Sequence, residues 1–442
     1  MYPKQFINVD EKNSMLQNTI NRLDKLDIES INIVANKQHR FLLKDQIKEL
    51  NIPVNIILEP CSRNTAAAIC LAALSIGEDK KMLILSSDHY IADKNIFFET
   101  INEAIKLLNN GKMVVFGVEP TSAHTGYGYI KVDPKNDKSN KVLEFIEKPN
   151  EKDALNFYKS GNYLWNSGMF MFNSCKYLEE VEKFSIETLK ACKKSISENN
   201  DYYEYMKVNE SHFKKCPNIS IDYAVMEKTE DAAFLKLKTL WSDLGSWTSL
   251  WEISEKDNNM NHINGDVIAH DTTNSYVSSH NKLVVTLGVE NMIIISTKDA
   301  VMVADKNNTE KIKEIFEVLK EKGRSEWEFH REVHRPWGKF DSLDTGVNYQ
   351  VKKITVKPGA KLSTQYHHYR SEHWVVVSGT ATVTKGNETF DLEKNQSVYL
   401  NVKEIHALEN KRDIDLEIIE VQTGSYLGED DIVRIDDIYD RD

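Results

Sequence analysis

The stretch Met82–Tyr90 reads MLILSSDHY and predicts a buried strand that ends at a binding crevice. Its first four residues form the short, unbroken apolar run that is typical of a strand covered on both faces of a parallel sheet. Asp88 follows this run, and ligands of open α/β sheets bind outside the carboxyl ends of the strands. Its carboxylate suits a Mg²⁺ ion that carries substrate phosphates. A lone Asp at such a position more often caps the next helix, so both interpretations stay open at this point.

Strands and helices alternate on both sides of this stretch. The predicted strands are Ile31–Ala35, Val54–Leu58, Met82–Leu85 and Lys112–Gly117, and the predicted helices are His39–Leu50, Asn64–Gly77 and Lys94–Asn109. This alternation predicts an α/β doubly wound parallel sheet with helices on both faces. Such a domain normally begins with a strand and a phosphate-binding turn, whereas Met1–Asn8 leads directly into a helix-like stretch, Ser14–Leu26. We therefore expect a sheet whose first strand is missing.

Length and composition limit the class of protein. The chain has 442 residues, of which 40% are hydrophobic and 28% charged, so a globular protein of two or three domains is expected. The net charge of −12 argues against sequence-independent nucleic-acid binding and against docking on an anionic membrane. The five cysteines have no CxxC spacing, which fits a reducing cytoplasm better than a zinc finger or a disulfide framework. The longest apolar run, Thr65–Leu74, is too short to span a bilayer, and we expect no targeting segment.

A second group of polar residues lies in the last quarter of the chain. Gln365, His367 and Glu372 precede a β-branched strand, Val375–Val377, and His406 follows a later strand. Alternate residues of a strand point the same way, so Gln365 and His367 face the same enclosed space. Two imidazoles, a carboxylate and an amide on separate strands of a barrel suit Zn²⁺ or another divalent first-row metal. Exposed polar strand positions are the alternative interpretation.

Between these two regions, short apolar runs recur at nearly regular spacing over Gly265–Asp305. This spacing predicts a small β-helix-like or sandwich module. The stretch that follows, Asn308–Lys322, places its apolar residues on one face and predicts a connecting amphipathic helix. We therefore expect three domains, with limits at residues 1–262, 263–325 and 326–442.

Six motifs occur in order along the chain, namely Glu59–Ala66, Ser87–His89, Gly126–Ile130, Phe145–Pro149, Trp165–Phe170 and Trp241–Trp247. Together they resemble the mannose-1-phosphate guanylyltransferases, specifically the long bacterial form fused to a type II mannose-6-phosphate isomerase. The resemblance covers the whole chain and implies a nucleotidyltransferase-like sheet, a β-helix-like module and a C-terminal cupin β-barrel. Members of this family carry a Gly-rich GGxGTRLWP loop just before the equivalent of Tyr2–Phe6, and this sequence begins after it. The resemblance therefore implies a missing first strand and weakened guanylyl transfer.

The resemblance also assigns roles within the first domain. Asp88 and Asp243 would hold Mg²⁺, Lys4 and Lys148 would bind phosphate, and Glu147 would bind sugar hydroxyls. These residue types suit the chemistry, because in-line nucleotidyl transfer requires charge neutralisation and positioning more than an acid or a base. From the residues alone, Asp243 could equally cap the helix that follows it, and the loop of Glu147 and Lys148 is typical of solvated surface.

Five further residues are implied as substrate ligands. Gly126 and Gly128 would let mannose approach the backbone, and Asn166 would add a side-chain hydrogen bond. Arg63 and Asn64 open a helix, where free N–H groups favour the guanosine or the phosphates of GTP. A simple hairpin turn at the two glycines and a capping role for Asn64 are the alternatives that need no ligand.

The C-terminal spacing matches the cupin pattern, with Gln365 in place of the first histidine, as in the phosphomannose isomerases. The resemblance implies that Gln365, His367, Glu372 and His406 hold the metal. The metal would polarise the sugar carbonyl while a base moves a proton between adjacent carbons. The sequence leaves that base unassigned among Lys361, His373 and Arg434, and it leaves the phosphate ligand open between Arg370 and His368.

The resemblance thus implies a cytoplasmic, bifunctional enzyme that forms GDP-mannose from GTP and mannose 1-phosphate and isomerises mannose 6-phosphate. This activity would feed polysaccharide synthesis. A homo-oligomer is a further expectation, whereas nucleic-acid and membrane partners are not expected. The alternative is a catalytically silent sugar-nucleotide-binding or regulatory protein that retains at most the isomerase activity.

Overall fold

The computed structural model describes residues 3–8, 13–48, 50, 52–77, 79–133, 140–196, 205–327, 330–437 and 439. It divides into a first compact unit over Pro3–Gly245 and a second from Ser246 onward. The start of the second unit is set by packing, because Trp247 and Trp251 pack against the buried Tyr276. The boundary between the two compact units therefore lies before residue 262, where the first predicted domain ends. The limits of the three predicted domains stay a prediction.

Helices and strands alternate through the first unit. In chain order they are α1 (Met15–Asn21), β1 (Ile31–Asn36), α2 (Arg40–Ile47), β2 (Val54–Glu59), α3 (Asn64–Ile76), β3 (Lys81–Ile84), β4 (Tyr90–Ile91), α4 (Lys94–Leu108), β5 (Met113–Val118), β6 (Tyr129–Lys131), β7 (Glu144–Ile146), α5 (Glu151–Ser160), β8 (Tyr163–Asn173), α6 (Ser174–Phe184), α7 (Ile186–Ser195), β9 (Met206–Lys207), α8 (Glu210–Phe213), β10 (Ala232–Lys236) and β11 (Trp241–Ser242). A π-helical turn covers Asp222–Met226. The strands and helices predicted between residues 31 and 117 are all present, with small shifts at their ends.

The strands of the first unit form a main sheet and a side sheet. The main sheet has the order β10-β5-β8-β6-β7, with β3 also paired to β8, and the side sheet has the order β1-β2-β9. Because β8 runs antiparallel to both β3 and β5, the main sheet is mixed. The prediction that the strand beginning at Met82 lies in a single parallel sheet was therefore wrong. Its apolar run indicates burial on both faces but carries no information on the direction of its partner.

A break separates β1 from β3. Among the described residues, β1 pairs only with β2 and β3 pairs only with β8, so one edge of each strand lacks a ladder partner. Half-buried apolar side chains, Val34 on β1 and Leu83 on β3, lie at this break. The interruption expected from the sequence is thus present between these two strands.

Helices cover both faces of the main sheet, as the alternation predicts. On β5, Val115 packs with α3 and α6, whereas Val114 and Phe116 pack with α4. The small residues of α3, such as Ala67 and Ala73, are fully buried and let this helix approach the sheet closely. The side chain of Asp93 accepts hydrogen bonds from the first backbone N–H groups of α4 and so fixes where that helix begins.

The second unit begins with a small module. Its elements are α9 (Trp247–Ile253), β12 (His262–Asn264), β13 (Val267–His270), β14 (Tyr276–Ser279), β15 (Val284–Leu287), β16 (Met292–Ser296), β17 (Val301–Asp305) and α10 (Ile312–Glu321). Parallel ladders join β12 to β14, β14 to β16 and β13 to β15. Stacked parallel strands of this kind form the predicted β-helix-like module, and α10 is the predicted amphipathic helix.

An antiparallel barrel follows the module. Its strands are β18 (Glu332–Arg335), β19 (Gly338–Thr345), β20 (Tyr349–Val356), β21 (Thr364–His367), β22 (Arg370–Ser378), β23 (Ala381–Lys385), β24 (Glu388–Leu392), β25 (Ser397–Leu400), β26 (His406–Glu409), β27 (Leu416–Gly424) and β28 (Ile432–Asp436). They form two sheets, β18-β19-β20-β27-β22-β25 and β24-β23-β26-β21-β28, which enclose one apolar core. The predicted cupin-like barrel is therefore confirmed.

Within the described ranges, no helix combines the length and the apolar character that crossing a bilayer requires.

Candidate functional sites

A cavity of about 620 Å³ lies at the break between the side sheet and the main sheet, next to the end of β3. We call it the transfer cavity. Its lining includes most of the residues predicted for guanylyl transfer, namely Asn64, Asp88, Gly126, Gly128, Glu147, Lys148, Asn166 and Asp243. Residues far apart in the sequence thus share one cavity, as the prediction requires, while their individual roles stay predictions.

Lys4 brings the two predicted Mg²⁺ ligands together. Its Nζ atom lies 3.1 Å from Oδ2 of Asp88 and 2.8 Å from the backbone oxygen of Asp243. A cation is therefore stabilised between the two aspartates, whose positions are 155 residues apart in the sequence (243 minus 88). Carboxylate and carbonyl oxygens around one point are the donor types that Mg²⁺ prefers, so the residues present fit this ion.

The carboxylate of Asp243 is held in a fixed orientation. Its Oδ1 atom accepts hydrogen bonds from the Tyr127 hydroxyl at 2.9 Å and from the Gly245 N–H at 3.0 Å. The Tyr127 ring stacks on His124 and meets Trp165 edge-on, with ring centroids 4.0 and 5.0 Å away. Tyr127 lies within the motif Gly126–Ile130, but nothing in the local sequence indicates that its hydroxyl contacts Asp243.

Another wall of the transfer cavity is acidic. The side chain of Asn166 donates a 2.8 Å hydrogen bond to Asp222, and Glu147 lies beside them. Burial, together with the nearby Asp222 charge, raises the pKa of Glu147 to about 7, although Lys148 opposes the rise. Burial also raises the pKa of Asp222. Carboxyl and amide groups of this kind bind sugar hydroxyls, and Asp222 is a site residue that the sequence does not reveal.

Two backbone features shape this wall. A Cβ atom at Gly128 would lie 2.5 Å from Oε2 of Glu147, so only glycine leaves room for that carboxyl group. Lys148 has a left-handed backbone with φ of 47°, which is a strained conformation for a residue with a side chain. Its exposed ammonium group lies 3.4 Å from Oε1 of Glu147, at the mouth of the acidic wall.

Arg63 and Asn64 lie at the start of α3 but differ in their surroundings. Asn64 lines the transfer cavity and its Oδ1 accepts a hydrogen bond from the Thr65 N–H. The Arg63 guanidinium instead donates to the backbone oxygens of Ser62 and Lys214 and is not among the cavity-lining residues. A substrate role for Arg63 thus stays a prediction that this geometry does not support.

The barrel contains a compact group of potential metal ligands. The donor atoms of His367, Glu372 and His406 lie within 4.8 Å of one another, and all three residues are buried. Nε2 of His367 lies 3.0 Å and Nε2 of His406 lies 3.8 Å from the Glu372 carboxylate. Neither ring nitrogen of His367 nor Nε2 of His406 makes a hydrogen bond within the described part of the chain. Buried nitrogens without partners beside a carboxylate fit a divalent metal.

Electrostatics favour the metal-binding protonation states of this group. Burial opposes ionisation of Glu372, but the neighbouring His367, His406 and Arg370 side chains hold its pKa well below the usual range. Burial lowers the pKa of His406, and its Nδ1 lies 2.8 Å from the backbone oxygen of Glu404. The carboxylate is therefore ionised, and the Nε2 lone pair of a neutral His406 is available to a metal.

Comparison with known families adds an independent observation. Residues 1–260 match the nucleotidyl transferase family, residues 265–319 match the MannoseP isomerase/GMP-like beta-helix domain, and residues 322–437 match the mannose-6-phosphate isomerase C-terminal family. The mannose-1-phosphate guanylyltransferase of Escherichia coli K12 is 47% identical over 452 residues, covering 100% of this chain and 95% of that protein. The chain belongs to the mannose-1-phosphate guanylyltransferase family. A second member, from Salmonella montevideo, is 47% identical over 450 residues with the same coverage.

Two solved structures resemble parts of this guanylyltransferase-family chain. A crystal structure described as mannose-1-phosphate geranyltransferase from Thermus thermophilus is 27% identical, with a TM-score of 0.63, and covers 72% of this chain and 92% of that one. A mannose-6-phosphate isomerase from Helicobacter pylori is 33% identical, with a TM-score of 0.51, and covers 55% of this chain and 94% of that one. Both agree with the nucleotidyltransferase and cupin-like folds described above.

The amide predicted to complete the metal site in this family member is Gln365. It lies on β21 opposite His406 of β26 and is buried, so it faces the same interior as the histidines. Its Oε1 accepts a 2.9 Å hydrogen bond from the Ser363 hydroxyl. A carbonyl-type oxygen has a second lone pair, so this bond leaves Oε1 able to bind a metal, and its ligand role stays a prediction.

The candidates for the isomerase base and for the phosphate ligand differ in their placement. His373 is exposed on the outer face of β22, because its neighbours Glu372 and Trp374 point inward, so this geometry does not support His373 as the base. Arg370 is buried and donates to Glu372 Oε1 at 3.2 Å, so it holds the Glu372 carboxylate in position. Lys361, His368 and Arg434 stay unassigned.

A polar wall beside the metal ligands could not be identified from the motifs. On β27, Glu420 and Gln422 face the interior and are buried. Burial and the Glu372 charge raise the pKa of Glu420 well above its usual range. The Trp374 ring nitrogen lies 3.0 Å from both Glu372 Oε2 and Glu420 Oε1, so it links the two carboxyl groups. The alternation in Leu416–Gly424 does predict that these two residues share a face with the apolar core.

Proposed function

We propose that this chain forms GDP-mannose by transferring the guanylyl group of GTP to mannose 1-phosphate. The observation that carries the proposal is the meeting of Asp88 and Asp243 at the Lys4 ammonium, beside a cavity whose acidic wall includes Glu147 and Asn166. A cation site next to sugar-binding groups is what a nucleotide and a sugar phosphate require when they react with each other. Membership of the family supports the same substrates.

The geometry suggests how the residues divide the work. A phosphate oxygen of mannose 1-phosphate attacks the α-phosphorus of GTP, and diphosphate leaves. Lys148 brings positive charge to the sugar phosphate, while Glu147 and Asn166 hold the sugar hydroxyls and so orient the attacking oxygen. Mg²⁺ held by Asp88 and Asp243 would supply further charge neutralisation when bound. No general base is required, because the attacking phosphate oxygen is already anionic.

We further propose that the barrel isomerises mannose 6-phosphate. The supporting observation is the buried group of His367, Glu372 and His406, in which both ring nitrogens of His367 and Nε2 of His406 lack hydrogen-bond partners among the described residues. Zn²⁺ or another divalent metal held by these residues and Gln365 would polarise the sugar carbonyl when bound. Arg370 and the wall formed by Glu420 and Gln422 keep the Glu372 carboxylate in place and enclose the substrate away from water.

One pair of assays tests both proposals. The chain is incubated with GTP, mannose 1-phosphate and Mg²⁺, and diphosphate and GDP-mannose are quantified, with ATP, CTP and UTP in place of GTP as controls. Isomerisation is followed separately as fructose 6-phosphate formed from mannose 6-phosphate. Turnover in both assays supports the bifunctional enzyme. Binding of GTP and GDP-mannose without transfer supports instead the alternative of a sugar-nucleotide-binding or regulatory protein.

We also propose that the protein works in the cytoplasm as a homo-oligomer. Its five cysteines are all free thiols, which suits a reducing compartment. Exposed apolar side chains of the β-helix-like module, including Val285, Leu287 and Val303, support association between copies. Light scattering of the purified chain tests the association, and a monomer at micromolar concentration would contradict it.

Gly128→Ala is expected to raise the KM for mannose 1-phosphate by about 10-fold or more, the loss typical of a misplaced hydrogen-bonding group. The new methyl group would lie 2.5 Å from Glu147 Oε2, so the carboxyl group must leave the acidic wall. Steady-state kinetics with each substrate varied in turn measure the effect. The KM for GTP serves as the internal control, and equal changes in both KM values would contradict a local effect on sugar binding.

The affinity for mannose 1-phosphate is expected to increase as the pH rises through about 7, the pKa of Glu147. This pKa lies above the ordinary value for glutamate, so the group is mostly protonated below pH 7 and mostly ionised above it. The ionised form accepts sugar hydroxyl hydrogen bonds at both oxygens and binds them more strongly. A KM profile from pH 5.5 to 8.5 checks this, and Glu147→Gln should remove the step near pH 7. A step that persists in this variant would assign it to another group.

A further inference from the structure

We propose that Gln422 binds a hydroxyl group of the open-chain sugar phosphate through its side-chain oxygen Oε1. This inference rests on the proposed isomerase activity and gives that site a residue that orients the substrate. Gln422 lies on β27 directly opposite Glu372 of β22, and strand alternation turns its side chain into the barrel on the same side as Glu420.

The amide nitrogen of Gln422 fixes which way the group is turned. Nε2 donates to Oε1 of Glu372 at 3.1 Å and to Oε2 of Glu420 at 2.9 Å. With the amide reversed, its oxygen would face the carboxyl oxygens of Glu372 and Glu420, and only the amide nitrogen has two hydrogens to donate to both. The nitrogen therefore faces the two carboxyl groups, and the oxygen Oε1 points away from them.

That oxygen is buried without a donor. Gln422 is 1% exposed, and Oε1 has no hydrogen-bond partner among the residues that the structure describes. Native proteins pair buried acceptors, because an unpaired one forfeits its bond to water. Three more unpaired buried atoms belong to the group around Glu372, namely both ring nitrogens of His367 and Nε2 of His406, and they fit a metal. Oε1 of Gln422 thus belongs to a set of buried atoms that a bound metal and its substrate would satisfy together.

The chemistry of the wall selects a hydroxyl group as the partner. Oε1 is an acceptor, so its partner must donate, and a substrate phosphate carries acceptor oxygens. The carboxyl oxygens of Glu372 and Glu420 beside Gln422 are further acceptors, so a phosphate placed here would lack donors from this wall. In an aldose–ketose isomerisation the carbonyl and its neighbouring hydroxyl belong to the reacting centre. The hydroxyls at carbons 3 and 4 are the next donors along the carbon chain of the sugar, and Gln422 Oε1 accepts a hydrogen bond from one of them.

A substrate–variant cycle tests this assignment. The kcat/KM of the metal-loaded full chain is measured for mannose 6-phosphate and for its 3-deoxy and 4-deoxy analogues. For one of the two analogues, the kcat/KM of the wild-type chain should be about 10- to 100-fold lower than for mannose 6-phosphate. This loss is typical of a site left with an unpaired polar group. Gln422→Met keeps the length of the side chain but not its oxygen, so its kcat/KM for mannose 6-phosphate should fall by a similar factor. With that analogue as substrate the variant should lose little more, because the substitution and the missing hydroxyl remove the same hydrogen bond.

Two measurements that do not depend on turnover accompany the cycle. The metal content of each variant shows whether the site still forms, and calorimetry gives the affinity for each sugar phosphate. If Gln422→Met does not fold, Gln422→Asn carries the cycle, because it keeps the amide on a shorter side chain. If, for both analogues, the loss in kcat/KM from the substitution multiplies with the loss from the missing hydroxyl, Gln422 does not bind either hydroxyl. This result would overturn the role of Gln422 while leaving the proposed isomerase activity intact. A wild-type chain that neither isomerises nor binds mannose 6-phosphate would overturn the proposed isomerase, and this inference with it.

Discussion

Asp243→Asn is expected to lower guanylyl transfer by about 10²- to 10³-fold, the cost typical of losing one group that stabilises charge in the transition state. The substitution keeps the size of the side chain and leaves an oxygen that can accept the hydrogen bonds from Tyr127 and Gly245. It removes the negative charge that, with Asp88, attracts a divalent cation. The effect should therefore appear as lost turnover and a raised Mg²⁺ requirement, measured by diphosphate release at several Mg²⁺ concentrations.

Asp231→Asn is a matched control for this substitution. Asp231 is also a paired aspartate of the first unit, but its partners are Lys112 and Lys176 and it does not line the transfer cavity. This control should transfer guanylyl groups at the wild-type rate, and both variants should keep the isomerase activity. An Asp243→Asn chain with the turnover and Mg²⁺ dependence of Asp231→Asn would remove Asp243 from the mechanism.

His367→Ala is expected to abolish isomerisation, with a loss of at least about 10²-fold in metal affinity or activity, because even partners outside the ligand shell cost 10- to 100-fold when removed. The substitution leaves Glu372 and His406 as the remaining members of the described ligand group. Metal content by atomic absorption and fructose 6-phosphate formation measure the two losses. Transfer from GTP should be unchanged, because the transfer cavity is lined by residues between Asn32 and Asp243 and by no described residue of the barrel.

The matched control here is His373→Ala. His373 is exposed on the outer face of the same strand that carries Glu372, so its removal should affect neither the metal content nor the isomerisation rate. Isomerase activity that survives both His367→Ala and treatment with a chelator would contradict a metal-dependent site.

Local sequence patterns predict the parts of this fold that depend on near neighbours. The apolar run before Asp88 marks a buried strand, and strand alternation places Gln365 and His367 on one inward face. The same patterns fail for long-range pairing. The run Tyr163–Asn173 pairs antiparallel with β3 and β5, and no local feature of any of the three strands encodes that arrangement.

The residues of the transfer cavity show the same contrast between what local sequence patterns predict and what depends on distant parts of the chain. The motif resemblance implies that Asp88, Glu147 and Asp243 belong to one site, and all three line the transfer cavity. The groups that hold them are harder to find, because Tyr127 and Asp222 act through contacts with residues distant in the chain. Burial is also invisible to a motif, so the raised pKa of Glu147 emerges only when the neighbours of its side chain are known.

The break between β1 and β3 has a consequence for how the first unit holds together. The side sheet and the main sheet exchange no ladder hydrogen bond among the described residues, so backbone pairing cannot make them unfold as one. Side-chain packing must transmit cooperativity instead, and α3 contacts β1 and β2 on one side and α6 and α7 on the other. Local opening of α3 would therefore weaken the packing that joins the two sheets, in a place where no shared ladder among the described residues can compensate.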